Sequence, residues 1–165
     1  TPFHMGPGVV LKSALAERFS LLTFGISQVA IDLQPAFVIL TGRGSLHGIS
    51  HTYLGATVIG VLVAPVARGL CPWMLGLWRA GFNGPDWLRD FPDPGWGVVI
   101  ASALLGTWSH VLVDSVMHAD MAPWWPREGR GAWLGIVTAA DLHLICFSLG
   151  VVGGVAWLVR RWRGI

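Results

Sequence analysis

Residues 96–117 read Trp-Gly-Val-Val-Ile-Ala-Ser-Ala-Leu-Leu-Gly-Thr-Trp-Ser-His-Val-Leu-Val-Asp-Ser-Val-Met, a run without Lys, Arg or Glu. Crossing the hydrocarbon core of a bilayer takes roughly 20 helical residues at ~1.5 Å each, and this run has that length. Working outward, three more stretches qualify, from about Phe19 to Leu40, Ile49 to Val66 and Ala132 to Val159. Trp96, Trp124, Trp125, Trp133, Trp157 and Trp162 punctuate the ends of the third and fourth, as an interfacial aromatic belt does. The pattern predicts an all-α fold, a polytopic membrane helix bundle of four transmembrane helices plus a short N-terminal entry helix.

Composition points the same way. Of 165 residues, 53% are hydrophobic and only 12% charged, with a mean hydropathy of +0.60; a soluble domain is about one-quarter charged. The length suits a single integral membrane domain over residues 1–165. The 11 Lys and Arg residues are scattered and the net charge is +2, so no basic footprint exists for nucleic acid. Cys71 and Cys146 match no ligand spacing and read as ordinary thiols. The opening Thr-Pro-Phe-His-Met-Gly-Pro-Gly lacks the pattern of a cleavable signal, and Thr1 suits removal of an initiator methionine.

A cytoplasmic carboxyl terminus collects Lys12, Arg18, Arg68, Arg79, Arg89, Arg160, Arg161 and Arg163 on one side and leaves Arg43, Arg127 and Arg130 on the other, a positive-inside bias. Residues 71–95, with Trp73, Trp78 and Trp87 among charged neighbours, then form a cytoplasmic loop whose pattern suits a short interfacial helix. At the amino terminus, Pro7 and Gly8 open a helix too short to span, and Glu17-Arg18 marks a turn. A hairpin bent there places His4 and Asp32 each ~20 Å from the turn, at one depth.

Ionisable side chains inside spans are costly and point to function. Asp32 stands in Ile31-Asp32-Leu33-Gln34-Pro35, where the proline helps open the helix. His47 and His51 sit at i and i+4 at the start of the second span, and His110, Asp114 and His118 form one stripe at i, i+4 and i+8 of the third. With the orientation above, His4, Asp32, His47, His51, His110, Asp114 and His118 meet in one layer toward the outer face. Imidazole and carboxylate without thiolate suit zinc, or else iron or manganese, better than magnesium. Seven candidates fit one open catalytic ion or a pair of ions. Each piece also has a structural reading: His4 as an interface residue, His47 with His51 as a polar helix start, Asp32 as a polar contact between helices. Asp141 and His143 read as helix–helix hydrogen-bonding groups, and Asp120 as a solvent-facing cap.

The order of an amino-terminal His followed by glycines, Ile-Asp-Leu-Gln-Pro, His-Gly-Ile-Ser-His-Thr and Ser-His-Val-Leu-Val-Asp-Ser resembles the bacterial membrane-bound metal-dependent hydrolase family, which includes LexA-regulated inner-membrane proteins. The resemblance covers roughly residues 1 to 120. It implies metal ligation by His4, Asp32, His47, His51, His110 and Asp114, and a bacterial inner-membrane location. Two departures stand out, Gln34 in the place of a second acidic residue and Gly48 in that of an arginine, and Ser50 stands where threonine is common.

The expected function is hydrolysis of a lipid-like or membrane-accessible ester or phosphoester by a metal-activated water. His47, His51, His110 and Asp114 would bind the ion. Asp32 and His4 would bind a second ion or orient the water, and His118 would be a further acid/base candidate. Membrane lipids are the expected partners. The alternative is a non-catalytic accessory subunit packing against other membrane-protein subunits, for which the glycine-rich helix faces are suited. Haem or chlorin ligation is a third reading, disfavoured by the neighbouring carboxylates.

Overall fold

The computed structural model describes residues 2–86, 91–127, 129 and 133–164. Its regular elements are a 3-10 turn Pro2–His4, α1 (Met5–Leu15), α2 (Leu21–Ile31), α3 (Leu33–Thr41), a 3-10 turn Ile49–His51, α4 (Tyr53–Gly81), α5 (Trp96–Met117) and α6 (Ala139–Trp162); no strand occurs among the described residues. Four helical rods are long and apolar enough to cross a membrane: Leu21–Thr41, Tyr53–Gly81, Trp96–Met117 and Ala139–Trp162. The first is α2 and α3 end to end.

Local chemistry sets the boundaries. Ser20, Thr52 and Thr138 accept the exposed N–H groups of Thr23, Gly55 and Asp141 at the starts of α2, α4 and α6, contacts worth about 1 kcal/mol each. Pro35 lacks the N–H that would bond the Ile31 carbonyl, so the rod breaks at Asp32, between α2 and α3. Gly42 closes α3 in the left-handed region, φ 67°. At the end of α1, Lys12 Nζ donates to the Ala16 and Phe19 carbonyls at 2.7 and 3.0 Å, and Arg160 to those of Ser13 and Ala14.

The helices meet through small residues. α1 and α6 run parallel: a Cβ on Gly6 would overlap the Cys146 carbonyl, and one on Gly153 the Val9–Val10 backbone. Behind them α2, α4 and α5 form the buried layer. Gly106 of α5 closes on Phe24 and Ser27 of α2, and Gly60 of α4 on Leu104 and Thr107 of α5. Ala64, Ala67 and Val99 form one core cluster; Ile31, Ala56, Val111 and Met121 form another. Around this layer large apolar side chains face outward, among them Val29, Leu40, Leu62, Phe147 and Val152, as expected where the surroundings are lipid rather than water.

Three boundaries differ from the sequence reading. The second span does not end at Val66: α4 continues through Pro65 and Pro72 to Gly81, so Cys71–Gly81 is helix and not the start of an interfacial loop. Ala64, Ala67 and Cys71 keep one buried face packed past both prolines, with Cys71 Sγ 3.5 Å from Thr23 Oγ1. The remainder of the expected interfacial segment, including Trp87, Arg89 and Asp90, falls on 87–90, outside the described residues. That same span starts at Tyr53, so His47 and His51 precede the helix and are not an i, i+4 pair on it. Finally, α6 begins at Ala139: Trp133 lies in a turn, and the expected start at Ala132 is outside the described residues.

Candidate metal centre

Three elements and a helix break deliver the predicted residues to one place. His4 closes the 3-10 turn before α1, Asp32 stands at the α2–α3 break, His51 ends the 3-10 turn before α4, and His110 and Asp114 share a face of α5. His4 Nε2 is 3.2 Å from Asp114 Oδ1. His110 Nε2 is 3.1 Å from Asp114 Oδ2 and 3.2 Å from Asp32 Oδ1. His51 Nε2 is 3.5 and 3.7 Å from the same two oxygens. Depth reasoning that paired His4 with Asp32 therefore leads to the observed meeting of both with His110.

These donors fit a divalent ion. His110 Nδ1 is 2.6 Å from Gln28 Oε1, an oxygen that only accepts, so Nδ1 carries the hydrogen and Nε2 presents its lone pair. The amide is oriented by its nitrogen, which donates to Ser109 Oγ at 3.3 Å and the His4 carbonyl at 3.5 Å. His51 Nδ1 is 2.8 Å from Ser50 Oγ, a hydroxyl that orients the ring and can serve as donor or acceptor. Nε2 of His51 and of His110 is buried and forms no hydrogen bond among the described residues. Lone pairs thus converge with carboxylate oxygens, and such a set needs a shared proton or a cation between its members. A tetrahedral ion with bonds of about 2.0–2.1 Å separates its ligand atoms by ~3.3 Å, and the observed 3.1–3.7 Å brackets that value.

His110 belongs both to a set with His4 and Asp114 and to one with Asp32 and His51; a third set joins His47, Asp114 and His118. Asp114 belongs to two of the three sets, the position of a bridging carboxylate. His118 ends the polar stripe earlier than its spacing implied: it follows α5 in extended backbone, φ −112°, so it turns off the helix face and stacks on His47 at 4.2 Å. Burial holds its pKa below the usual histidine value, with His47 adding in the same direction. Asp120 accepts from His47 Nδ1 at 2.9 Å with both oxygens, and this bond keeps its carboxyl below the ordinary range. It is thus a partner of His47 rather than a simple cap, and it fixes which nitrogen His47 offers.

Gln34 does not join the donor set. Its Oε1 accepts from Ser50 N–H at 3.0 Å and its Nε2 donates to the Ser45 carbonyl at 3.3 Å, holding the loop that carries His47 and His51. Gly48 leaves room for that amide, because a Cβ there would overlap it. The two departures in sequence are therefore neighbours in space. His143 makes a ring contact with Phe3 at 4.7 Å, and Asp141 belongs to the start of α6, bonded to Thr138. Asp141 thus bonds within its own helix start, and His143 meets its neighbour through the ring face, in place of the helix–helix hydrogen bonds expected of both.

The residues that sequence reasoning missed are Gln28, Ser50 and Asp120. Gln28 had a signal, four residues before Asp32 on the same face of a span. Comparison with models of known protein families, with curated proteins and with solved structures gives no match.

Proposed function

We propose that the chain is a membrane-embedded metal-dependent hydrolase acting on a lipid-like or membrane-accessible ester or phosphoester. One observation carries the reading: two buried imidazole nitrogens with no hydrogen bond among the described residues meet the carboxylates of Asp32 and Asp114, with His4 alongside. The resemblance to the bacterial membrane-bound hydrolase family supports it. Asp32, His51, His110 and Asp114 would hold one ion, zinc before iron or manganese, and His47, His118 and Asp114 a second. When bound, such an ion polarises the scissile group and lowers the pKa of a water beside it to about 7.

The protein's own residues do the rest. Gln28 fixes the His110 tautomer so that its Nε2 lone pair faces inward, and Ser50 orients the His51 ring. Asp32 serves as ligand and, being the exposed member, also orients water at the mouth. In the one-ion form His118, neutral at pH 7 because its pKa is lowered, would accept a proton there and return it to the leaving group. We place the protein in a bacterial inner membrane with a cytoplasmic carboxyl terminus, on its distribution of basic residues.

The accessory-subunit reading draws on α6, whose outward face exposes Val151, Val152, Val155 and Leu158. Metal content of detergent-purified protein separates the two, with His110→Ala and Asp114→Ala alongside. One or two equivalents in the wild type, absent from both variants, together with metal-dependent cleavage of a lipid ester, supports the hydrolase. No bound metal, with both variants folded normally, refutes it.

A further inference from the structure

The cluster opens in one direction. Side-chain exposure is 2% for His4, 1% for His51, 0% for His110 and 7% for Asp114, against 40% for Asp32. A cleft of about 320 Å³ leads to it, lined by Asp32 and Pro35 at the start of α3, Ala139 and His143 at the start of α6, and His4 between them.

Beside the cleft, α1 is a short helix. Its 11 residues reach only ~16 Å, roughly half a hydrocarbon core. It fills the space beside α6 from Arg160 up to Cys146, where Gly6 closes on the carbonyl, and stops at His4. Next to His4, Phe3 packs on His143 of α6 with ring centroids 4.7 Å apart, and the cleft is lined from α3 by Pro35 and from α6 by Ala139 and His143. Both rims belong to helices able to cross a membrane. Exposed apolar side chains continue from each rim, Leu33 and Phe37 on α3 and Leu144 and Phe147 on α6. Apolar side chains thus continue outward from both rims, while the polar groups of the lining, Asp32 among them, belong to the cluster or adjoin it.

We infer that this cleft is a lateral port, through which a membrane lipid slides its polar ester or phosphoester group from the bilayer onto the His/Asp cluster while its tail stays between α3 and α6. The substrate class follows from the shape, an amphiphile with its head at the inner end and its chain in the membrane. Depth agrees, since Asp114 is three residues from the end of α5, or ~5 Å at helical rise, close to where glycerol esters sit. This inference rests on the hydrolase reading for the word substrate; the port itself does not.

The test uses the full chain, zinc-loaded, in phosphatidylethanolamine/phosphatidylglycerol vesicles. A nitroxide on Ala139→Cys should collide more often with oxygen, which concentrates in the bilayer, than with a water-soluble nickel chelate. Preference for the nickel chelate, or access to neither, overturns the port. Ala139→Trp should cut cleavage of the vesicle lipid at least tenfold with zinc content unchanged, and an unchanged rate also overturns it. If zinc-loaded wild type cleaves no vesicle lipid, the hydrolase reading fails instead, and the nitroxide result alone then decides the port.

Discussion

Replacing Gln28 by methionine tests the assignment of the His110 lone pair. The two side chains are similar in length, and Gln28 is buried, so packing is nearly conserved. What disappears is the acceptor 2.6 Å from His110 Nδ1. With no reason to keep its hydrogen on Nδ1, the ring moves it to Nε2, which then donates to Asp114 Oδ2 at 3.1 Å or Asp32 Oδ1 at 3.2 Å. The new bond, about 1 kcal/mol, offsets the one lost at Nδ1, so the metal-free protein loses only the amide's longer donations to Ser109 Oγ and the His4 carbonyl. Metal must now displace that proton, and losing such an outer partner weakens affinity about 10–100-fold. At a free zinc concentration about 100 times the wild-type Kd, zinc stabilises the wild type by about 2.7 kcal/mol and the variant by only about 0.4–1.4 kcal/mol. The zinc-induced rise in Tm is then smaller by about 3–9 °C for a chain of this size. Zinc titration against a competing chelator, with melting curves of both forms in detergent, measures each quantity. Wild-type zinc affinity in the variant refutes the tautomer argument.

Ala16 turns the chain between α1 and α2 at φ 49°, a region glycine enters without strain. Ala16→Gly should therefore raise thermal stability, by about 1 kcal/mol, and a fall in Tm would show that the turn is unstrained. Gly6→Val overlaps the Cys146 carbonyl and should cost about 1–3 kcal/mol; because His4 travels with α1, zinc affinity should drop with stability, and loss of stability alone would separate His4 from the site. Asp120→Asn leaves a neutral acceptor for His47, roughly half as strong as the ionised one, so a second zinc equivalent should weaken while the first holds, as read by two-site calorimetry.

Much of this architecture is legible in one sequence because a bilayer imposes a coarse rule. A span must be long and apolar, and a charged group inside it must have a use, so the four rods and the histidines and aspartates stand out from their surroundings. Helix ends are less legible. Pro65, Arg68 and Pro72 look like the close of a span, yet the small residues Ala64, Ala67 and Cys71 keep α4 packed straight past them. The supporting polar groups are harder still. Gln28 and Ser50 cost little in a membrane helix or loop, so nothing in composition distinguishes a tautomer-fixing amide from a routine one. Asp120 lies in irregular chain, where periodicity carries no information about its neighbour His47.

The breaks in the bundle and the cluster have one origin. Of the seven cluster residues only His110 and Asp114 sit within a regular α-helix; His4, Asp32, His47, His51 and His118 occupy ends, turns or the α2–α3 break. Side chains on adjacent turns of unbroken rods point along one stripe each, and two or three rods supply few atoms to a single point. A helix end or break lets backbone enter the interior, bringing a ligand with it from a different direction. Interrupted backbone in a membrane costs several kcal/mol for each polar group left unsatisfied, and here the nearby side chains meet that requirement. Gln34 takes the Ser50 N–H and gives to the Ser45 carbonyl, and Gly48 yields the space in which that amide sits. Gln34 and Gly48 therefore act on the geometry of His47 and His51 without touching metal. A larger residue at 48 should displace the Gln34 amide first, loosen the loop next, and reach the cluster only through those two histidines.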